Sequence, residues 1–233
     1  YGIEHHRCLL NKLDIILGKT SSLKKMIDNL KIDVIHSLGV FPDYAISKLE
    51  RDKQIITLRN YVWDDYPDKF GKIQGAILAN LHLYAMKHSA KTVACSESLS
   101  ILYSEHLNLH YDFVRNGVDV EKFTKPTIEQ RFELRNRLRL PYDAFIFTYS
   151  GQMLNRKNQG FLLSVFTKTF GKDGPYLLLL GDGPDYSTLK EKYGQFPNVD
   201  FRGNVKNVTD FLGASDAYVS TSKSEGMPNG VLE

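Results

Sequence analysis

Two carboxylates close the sequence: Glu225 and Glu233 bracket Gly226-Met227-Pro228-Asn229-Gly230-Val231-Leu232. A carboxylate accepts two or more hydrogen bonds, so this pair suits the hydroxyls of a sugar or a ribose. The segment between them holds two glycines, a proline and the start of a helix, which gathers several unpaired backbone N–H groups around one loop. A helix cap beside an exposed acid accounts for the same spacing. Upstream, Ser150-Gly151-Gln152-Met153-Leu154-Asn155-Arg156-Lys157 sets a glycine, where the backbone can approach a ligand, before two cations and a helix start. That combination suits a diphosphate; a solvated Arg156–Lys157 pair is the alternative. Gly181-Asp182-Gly183-Pro184-Asp185 is similar to a dinucleotide fingerprint but lacks its third glycine. Pro184 fits a first helical turn there, with Asp182 or Asp185 as a cap.

These segments need elements to hold them, and the chain alternates short apolar strands with amphipathic helices. In the first half, strands are predicted at 32–36, 54–58, 91–95 and 112–114. Helices are predicted at 21–30, near 44–49, over much of 68–88 and from the Ser96 cap onward. Residues 59–67, polar and aromatic, are predicted as a loop. The charge-rich stretch 119–143, with Pro126 and Pro141, marks a domain junction and carries a helix near 129–138. The alternation then restarts, with strands at 145–150, 176–180, 199–201 and 217–221. Helices there carry Leu162, Val165 and Phe166, then Tyr186 and Leu189, then Phe211 and Leu212. Tyr176–Leu180 is apolar throughout, as in a parallel strand buried on both faces. Two βαβ series predict two doubly wound parallel sheets facing each other across a cleft, with ligands bound beyond the carboxyl ends of the strands.

Composition narrows the function. A net charge of +3 does not argue for nucleic acid. Cys8 and Cys95, the two cysteines, form neither a disulfide framework nor a zinc spacing and fit a reducing, cytoplasmic compartment. No apolar run reaches the ~20 residues that span a bilayer. Lys19, Lys24, Lys25 and Lys31 form a basic edge that suits either a solvated helix face or peripheral contact with anionic lipid at the inner face of the membrane. No Asp-x-Asp pair offers a metal set. The chain opens on Tyr1 rather than Met and stops at Glu233 where a helix begins, so it reads as a fragment cut at both ends.

Taken together, these segments strongly resemble the retaining group 1 (family four) glycosyltransferases. Ser-Glu-Gly-Met-Pro-Asn-Gly-Val-Leu-Glu at 224–233 is similar to their Glu-x7-Glu donor motif. Val114-Arg115-Asn116-Gly117-Val118-Asp119, with Phe123, resembles the segment where they cross between domains. Ser150-Gly151 through Lys157 resembles their Gly-Arg…Lys-Gly loop, and Leu180–Pro184 and Phe201–Val205 resemble their next two strand ends. The matches run in family order over about 91–233. Weaker likeness around Thr57–Tyr61 and Asp64–Pro67 points to members from bacterial surface-polysaccharide clusters.

The resemblance implies a GT-B fold: an N-terminal acceptor-side Rossmann-like domain at 1–117 and a C-terminal donor domain at 118–233. It implies transfer of a sugar from a nucleoside-diphosphate sugar to a glycan or lipid-linked acceptor, with retention, no metal and no cofactor beyond the sugar-nucleotide co-substrate. Lys157 would contact the diphosphate with help from Arg156 near Gly151 and Gln152. Glu225 would hold donor-sugar hydroxyls beside the backbone of Gly226, Met227, Pro228 and Asn229. Glu233 would bind ribose, and Gly203, Asn204 and Val205 would lie near the base. Gln152 departs from the family's arginine, and Arg59, followed by Asn60, stands where many members have a histidine in the first-domain loop; it would meet the acceptor or the donor phosphate, or cap a strand. Trp63 suits the acceptor side or the core, and His82 and His88 suit ordinary packing. A nucleotide-sugar epimerase, a phosphorylase or a non-catalytic sugar-nucleotide module would share the fold.

Overall fold

A computed structural model describes residues 4–233; Tyr1–Ile3, with which the first expected domain begins, lie outside the described residues. The chain divides into two compact units, Tyr1–Arg115 and Asn116–Glu233.

In the first unit the strands β1 (Ile35–Ser37), β2 (Gln54–Leu58), β3 (Lys91–Ala94) and β4 (Asp112–Phe113) form a parallel sheet in sequential order. Ile56, Leu58 and Ala94 are buried beneath the helices α3 (Val40–Leu49), α5 (Lys72–His88) and α6 (Glu97–Leu107). A short helix α1 (Lys12–Ile16) and the expected α2 (Ser21–Leu30) precede them. Ser96 caps α6, accepting from Leu99 N at 3.2 Å.

The predicted loop over 59–67 is instead largely helical, as α4 (Val62–Phe70). Val62 and Tyr66, one turn apart, bury one face, and Asp64 and Asp65 favour the positive end of the helix. Pro67 withholds the N–H that would bond Trp63 O, so the helix survives on burial rather than propensity. The long helix expected over much of 68–88 is α5, Lys72–His88, and Gly71, with a φ of +82°, separates it from α4.

The second unit holds a parallel sheet in the order β7 (Val199–Gly203), β6 (Tyr176–Leu180), β5 (Ile146–Ser150) and β8 (Ala217–Tyr218). The run of leucines in β6 divides between two cores. Leu177 and Leu179 join Tyr149, Met153, Leu163 and Phe166, while Leu178 and Leu180 join Ile146, Leu140, Phe211 and Ala214. Period-two alternation in a strand apolar on both sides produces this division. Helices α8 (Gln159–Phe170) and α9 (Tyr186–Tyr193) pack on the first core, and α7 (Ile128–Leu138) and α10 (Val208–Ala214) on the second. A full capping box of Thr127 and Gln130 starts α7.

The strand order sets the position of the site. From β5 the chain steps outward to β6 and β7, then returns to β8 on the far side of β5. The loops leaving β5 and β8 therefore emerge at the reversal point, where open α/β sheets bind ligands. The strand expected over 217–221 ends at Tyr218, so the remainder of that segment joins the loop that carries Glu225.

Candidate functional site at the strand reversal of the second unit

The two loops at the reversal are laced together. Lys223 N donates to Arg156 O at 2.8 Å, and Thr221 Oγ1 donates to Asn158 O at 3.0 Å. Arg156 reaches back across the seam to Ser224 O at 2.5 Å. A single 3-10 turn, Asn155–Lys157, presents the two cations and ends at Asn158 in the left-handed region before α8 begins.

The expected diphosphate cations and the expected sugar carboxylate meet here. Lys157 Nζ donates to Glu225 Oε1, and an Arg156 guanidinium nitrogen lies 3.2 Å from Glu225 Oε2. All three side chains are largely buried. Burial works against the charge of Glu225, yet hydrogen bonds from Lys157 and Ser222 and the charges of Lys157 and Arg156 outweigh it. The carboxyl is held below its ordinary value and is ionised at neutral pH.

At the carboxyl ends of β5 and β6 lies a cavity of about 720 Å³ lined by Ser150, Gly151, Gln152, Asn204, Val205 and the Leu180–Pro184 turn, with Arg156, Lys157 and Glu225 not among its lining residues. Its floor is two backbones in contact. Gly151 N donates to Leu180 O at 2.9 Å, and Gly181 N donates to Gly203 O at 2.7 Å. A Cβ on Gly181, whose φ is +125°, would fall 2.1 Å from Gly151 O. Gln152 projects its exposed side chain here, while its carbonyl accepts from the buried Gln159 at 2.8 Å. Gln159 also donates to Tyr149 Oη at 2.9 Å and so fixes the loop from below. Asp182 accepts from its neighbour Gly183 N at 2.7 Å, whereas Asp185 takes the cap position of α9 without a side-chain bond.

Gly226 is buried, and the next residues are tied to a position the sequence did not single out for the site. Asn116 Nδ2 donates to Met227 O at 3.2 Å and to Asn229 Oδ1 at 3.0 Å, and Asn116 N lies 3.1 Å from Met227 Sδ. Pro228 precedes α11 (Asn229–Leu232). Glu233 is exposed and borders a separate cavity with Phe123, Lys125 and Arg131, so the structure does not bring it to the cavity beside Gly151. Among the described residues no group of three or more His, Cys, Asp or Glu side chains could hold a metal, and no helix is long and apolar enough to cross a membrane.

The first unit has its own cavity, of about 380 Å³, at the carboxyl end of β2. Arg59 and Asn60 line it with Phe41, Phe70, Lys12 and Lys69, whereas Trp63 does not. Tyr66 and His82 form part of its wall. His82 is not surface packing: its Nδ1 lies 2.6 Å from Tyr66 Oη and its Nε2 2.8 Å from Asp43 Oδ2, all three residues being buried. Burial first, then the charges of Asp43 and Asp65, raise the Tyr66 hydroxyl well above its usual value. Three helices contribute one residue each to this trio, which is why no sequence spacing shows it.

Residues 144–233 match the family described as glycosyl transferases group 1. This segment is similar to a group 1 glycosyltransferase domain. Along 91% of its length the chain is 24% identical to the Escherichia coli UDP-Gal:alpha-D-GlcNAc-diphosphoundecaprenol alpha-1,3-galactosyltransferase, covering 57% of that protein. It is 25% identical over 90% of its length to the Staphylococcus aureus capsular polysaccharide biosynthesis glycosyltransferase CapH, covering 58% of it. The chain spans between 28% and 58% of the length of the curated relatives it matches. Among solved structures it is similar to Anabaena HepE in complex with UDP-glucose, with a TM-score of 0.69 and 16% identity, covering 88% of this chain and 58% of that one. The fold is that of the GT-B glycosyltransferases.

Proposed function

We propose that this chain supplies the donor site, and much of the acceptor side, of a retaining, metal-independent glycosyltransferase of bacterial surface-polysaccharide assembly. It would move a sugar from a nucleoside-diphosphate sugar to a glycan or lipid-linked acceptor. The observation that carries the reading is the convergence of Arg156, Lys157 and Glu225 at the strand reversal of the second unit.

Cleavage of a sugar–phosphate bond places negative charge on the departing diphosphate. Two fixed, largely buried cations stabilise that charge, the task a metal performs elsewhere. Glu225, ionised and one residue ahead of the buried Gly226, accepts hydrogen bonds from donor-sugar hydroxyls and tolerates the cation-like anomeric carbon. The backbone near Gly226, Met227 and Asn229, braced by Asn116, faces the sugar; Pro228 offers no N–H. The cavity beside Gly151, Gln152, Asn204 and Val205 takes the nucleoside, with Gly203 setting its turn; Glu233, at a separate cavity, is not assigned to the ribose. Arg59 and Asn60, in the cavity of the first unit, meet the acceptor. The Escherichia coli and Staphylococcus aureus relatives are named for lipid-diphosphate-linked and capsular glycans, which supports this acceptor class.

The test is transfer by the intact protein. UDP-, GDP- and ADP-sugars are offered with a polyprenyl-diphosphate-linked saccharide in the presence of EDTA, and the product is analysed by mass spectrometry and NMR. Transfer with the donor's anomeric configuration kept is expected. An inverted product would overturn retention, a strict need for divalent metal would overturn metal independence, and nucleotide binding without any transfer would favour a non-catalytic module.

A further inference from the structure

The cations expected to bind the diphosphate are already occupied. Each Glu225 oxygen faces one of them, Oε1 facing Lys157 Nζ and Oε2 an Arg156 nitrogen at 3.2 Å. The three groups carry a net charge of about +1, so an arriving diphosphate meets both a reduced field and a carboxylate seated on the same nitrogens. We propose that Glu225 is an internal competitor for the diphosphate. It holds Arg156 and Lys157, yields them when a sugar nucleotide binds, and reclaims them once the sugar has left. The inference rests on the donor-site reading above.

The two halves of a sugar nucleotide then act together. The diphosphate takes the cations, and the displaced carboxylate finds donors in the sugar hydroxyls. A free nucleoside diphosphate displaces the same carboxylate but offers no sugar hydroxyl to receive it, leaving an ionised, largely buried group beside phosphate oxygens. Glu225 thereby separates substrate from product, which share the nucleotide, by the presence of the sugar. After transfer it favours release, because the pair with Lys157 and Arg156 re-forms as the diphosphate departs. Differential affinity of this kind requires a group whose partners change between the two ligands, and Glu225 is within reach of both sets.

The experiment is calorimetric titration of the intact protein and its Glu225→Gln variant with UDP, GDP and ADP and with their glucose conjugates. Removing the carboxylate charge removes the competitor while preserving shape. The nucleoside diphosphate that binds should bind Glu225→Gln about tenfold or more tightly, while the sugar nucleotide gains nothing or weakens. Opposite movements of two ligands in one site are not the signature of a merely structural residue. Glu225→Asp, which keeps the charge but shortens its reach, should lie between the two and serves if Glu225→Gln does not fold. Unchanged or weaker diphosphate binding in a folded variant, with the wild type binding both ligands, would overturn the inference and leave the donor site standing. A folded wild type that binds neither ligand would overturn the donor-site reading and this inference with it.

Discussion

Replacing Gly181 by alanine tests whether the floor of the second unit's cavity is two backbones in direct contact. The new Cβ would stand 2.1 Å from Gly151 O and 2.8 Å from its carbonyl carbon, neither of which is a flexible side-chain end. The backbone there has φ +125°, which costs a residue with a Cβ about 1–3 kcal/mol. Forcing the two turns apart adds about 1–3 kcal/mol by analogy with overpacked cores. A loss of about 2–6 kcal/mol follows, which for a unit of this size is a drop in melting temperature of roughly 8 °C or more. Gly160→Ala is the control: it lies inside α8, and its Cβ would meet only Leu189 Cδ2 at an ordinary 3.7 Å. That variant should be neutral or more stable by about 0.4–1 kcal/mol. Urea denaturation followed by circular dichroism reads both. Gly181→Ala within about 0.5 kcal/mol of wild type would refute the close approach of the loops.

Three further outcomes follow. Asn116→Ala removes two hydrogen bonds to the Met227–Asn229 loop, worth about 1–2 kcal/mol together, so sugar-nucleotide affinity measured by calorimetry should fall roughly 5- to 30-fold with little change in melting temperature. Arg135→Ala leaves the Ala214, Tyr142 and Ala144 carbonyls without this donor and loosens Asp216, and should cost about 3–5 kcal/mol in urea denaturation. Burial pushes Tyr111 up to about 12; burial, followed by Asp200, does the same for Tyr176. In each the folded state holds its proton more tightly than the unfolded chain, so the stability it contributes is complete below about pH 10 and is lost as pH rises toward 12. Spectrophotometric titration should show a late tyrosine fraction that ionises with unfolding, and full ionisation near pH 10 in a folded protein would contradict the burial.

Much of the second unit was legible because its strands and helices have unmixed periods. The leucines of β6 and the helix over 208–214 needed no tertiary information. The helix at Val62 was hidden by Pro67 and by a polar, aromatic composition, whereas the long helix that follows, Lys72–His88, was legible over most of its length. The candidate site was visible as residue types and as a family resemblance, but not as contacts. Lys157 and Glu225 are brought together only by the return of the chain to β8. Asn116 and Met227 lie 111 residues apart, and the Asp43–His82–Tyr66 trio is assembled from separate helices, so neither leaves a local signal.

The most direct test of the donor site is calorimetric titration of sugar nucleotides into the intact wild-type protein and into Lys157→Ala. One sugar nucleotide should bind the wild type, and loss of a charge-assisted contact should weaken it about 10- to 100-fold in the variant. Equal affinity in both proteins, or no binding to a folded wild type, would contradict the account.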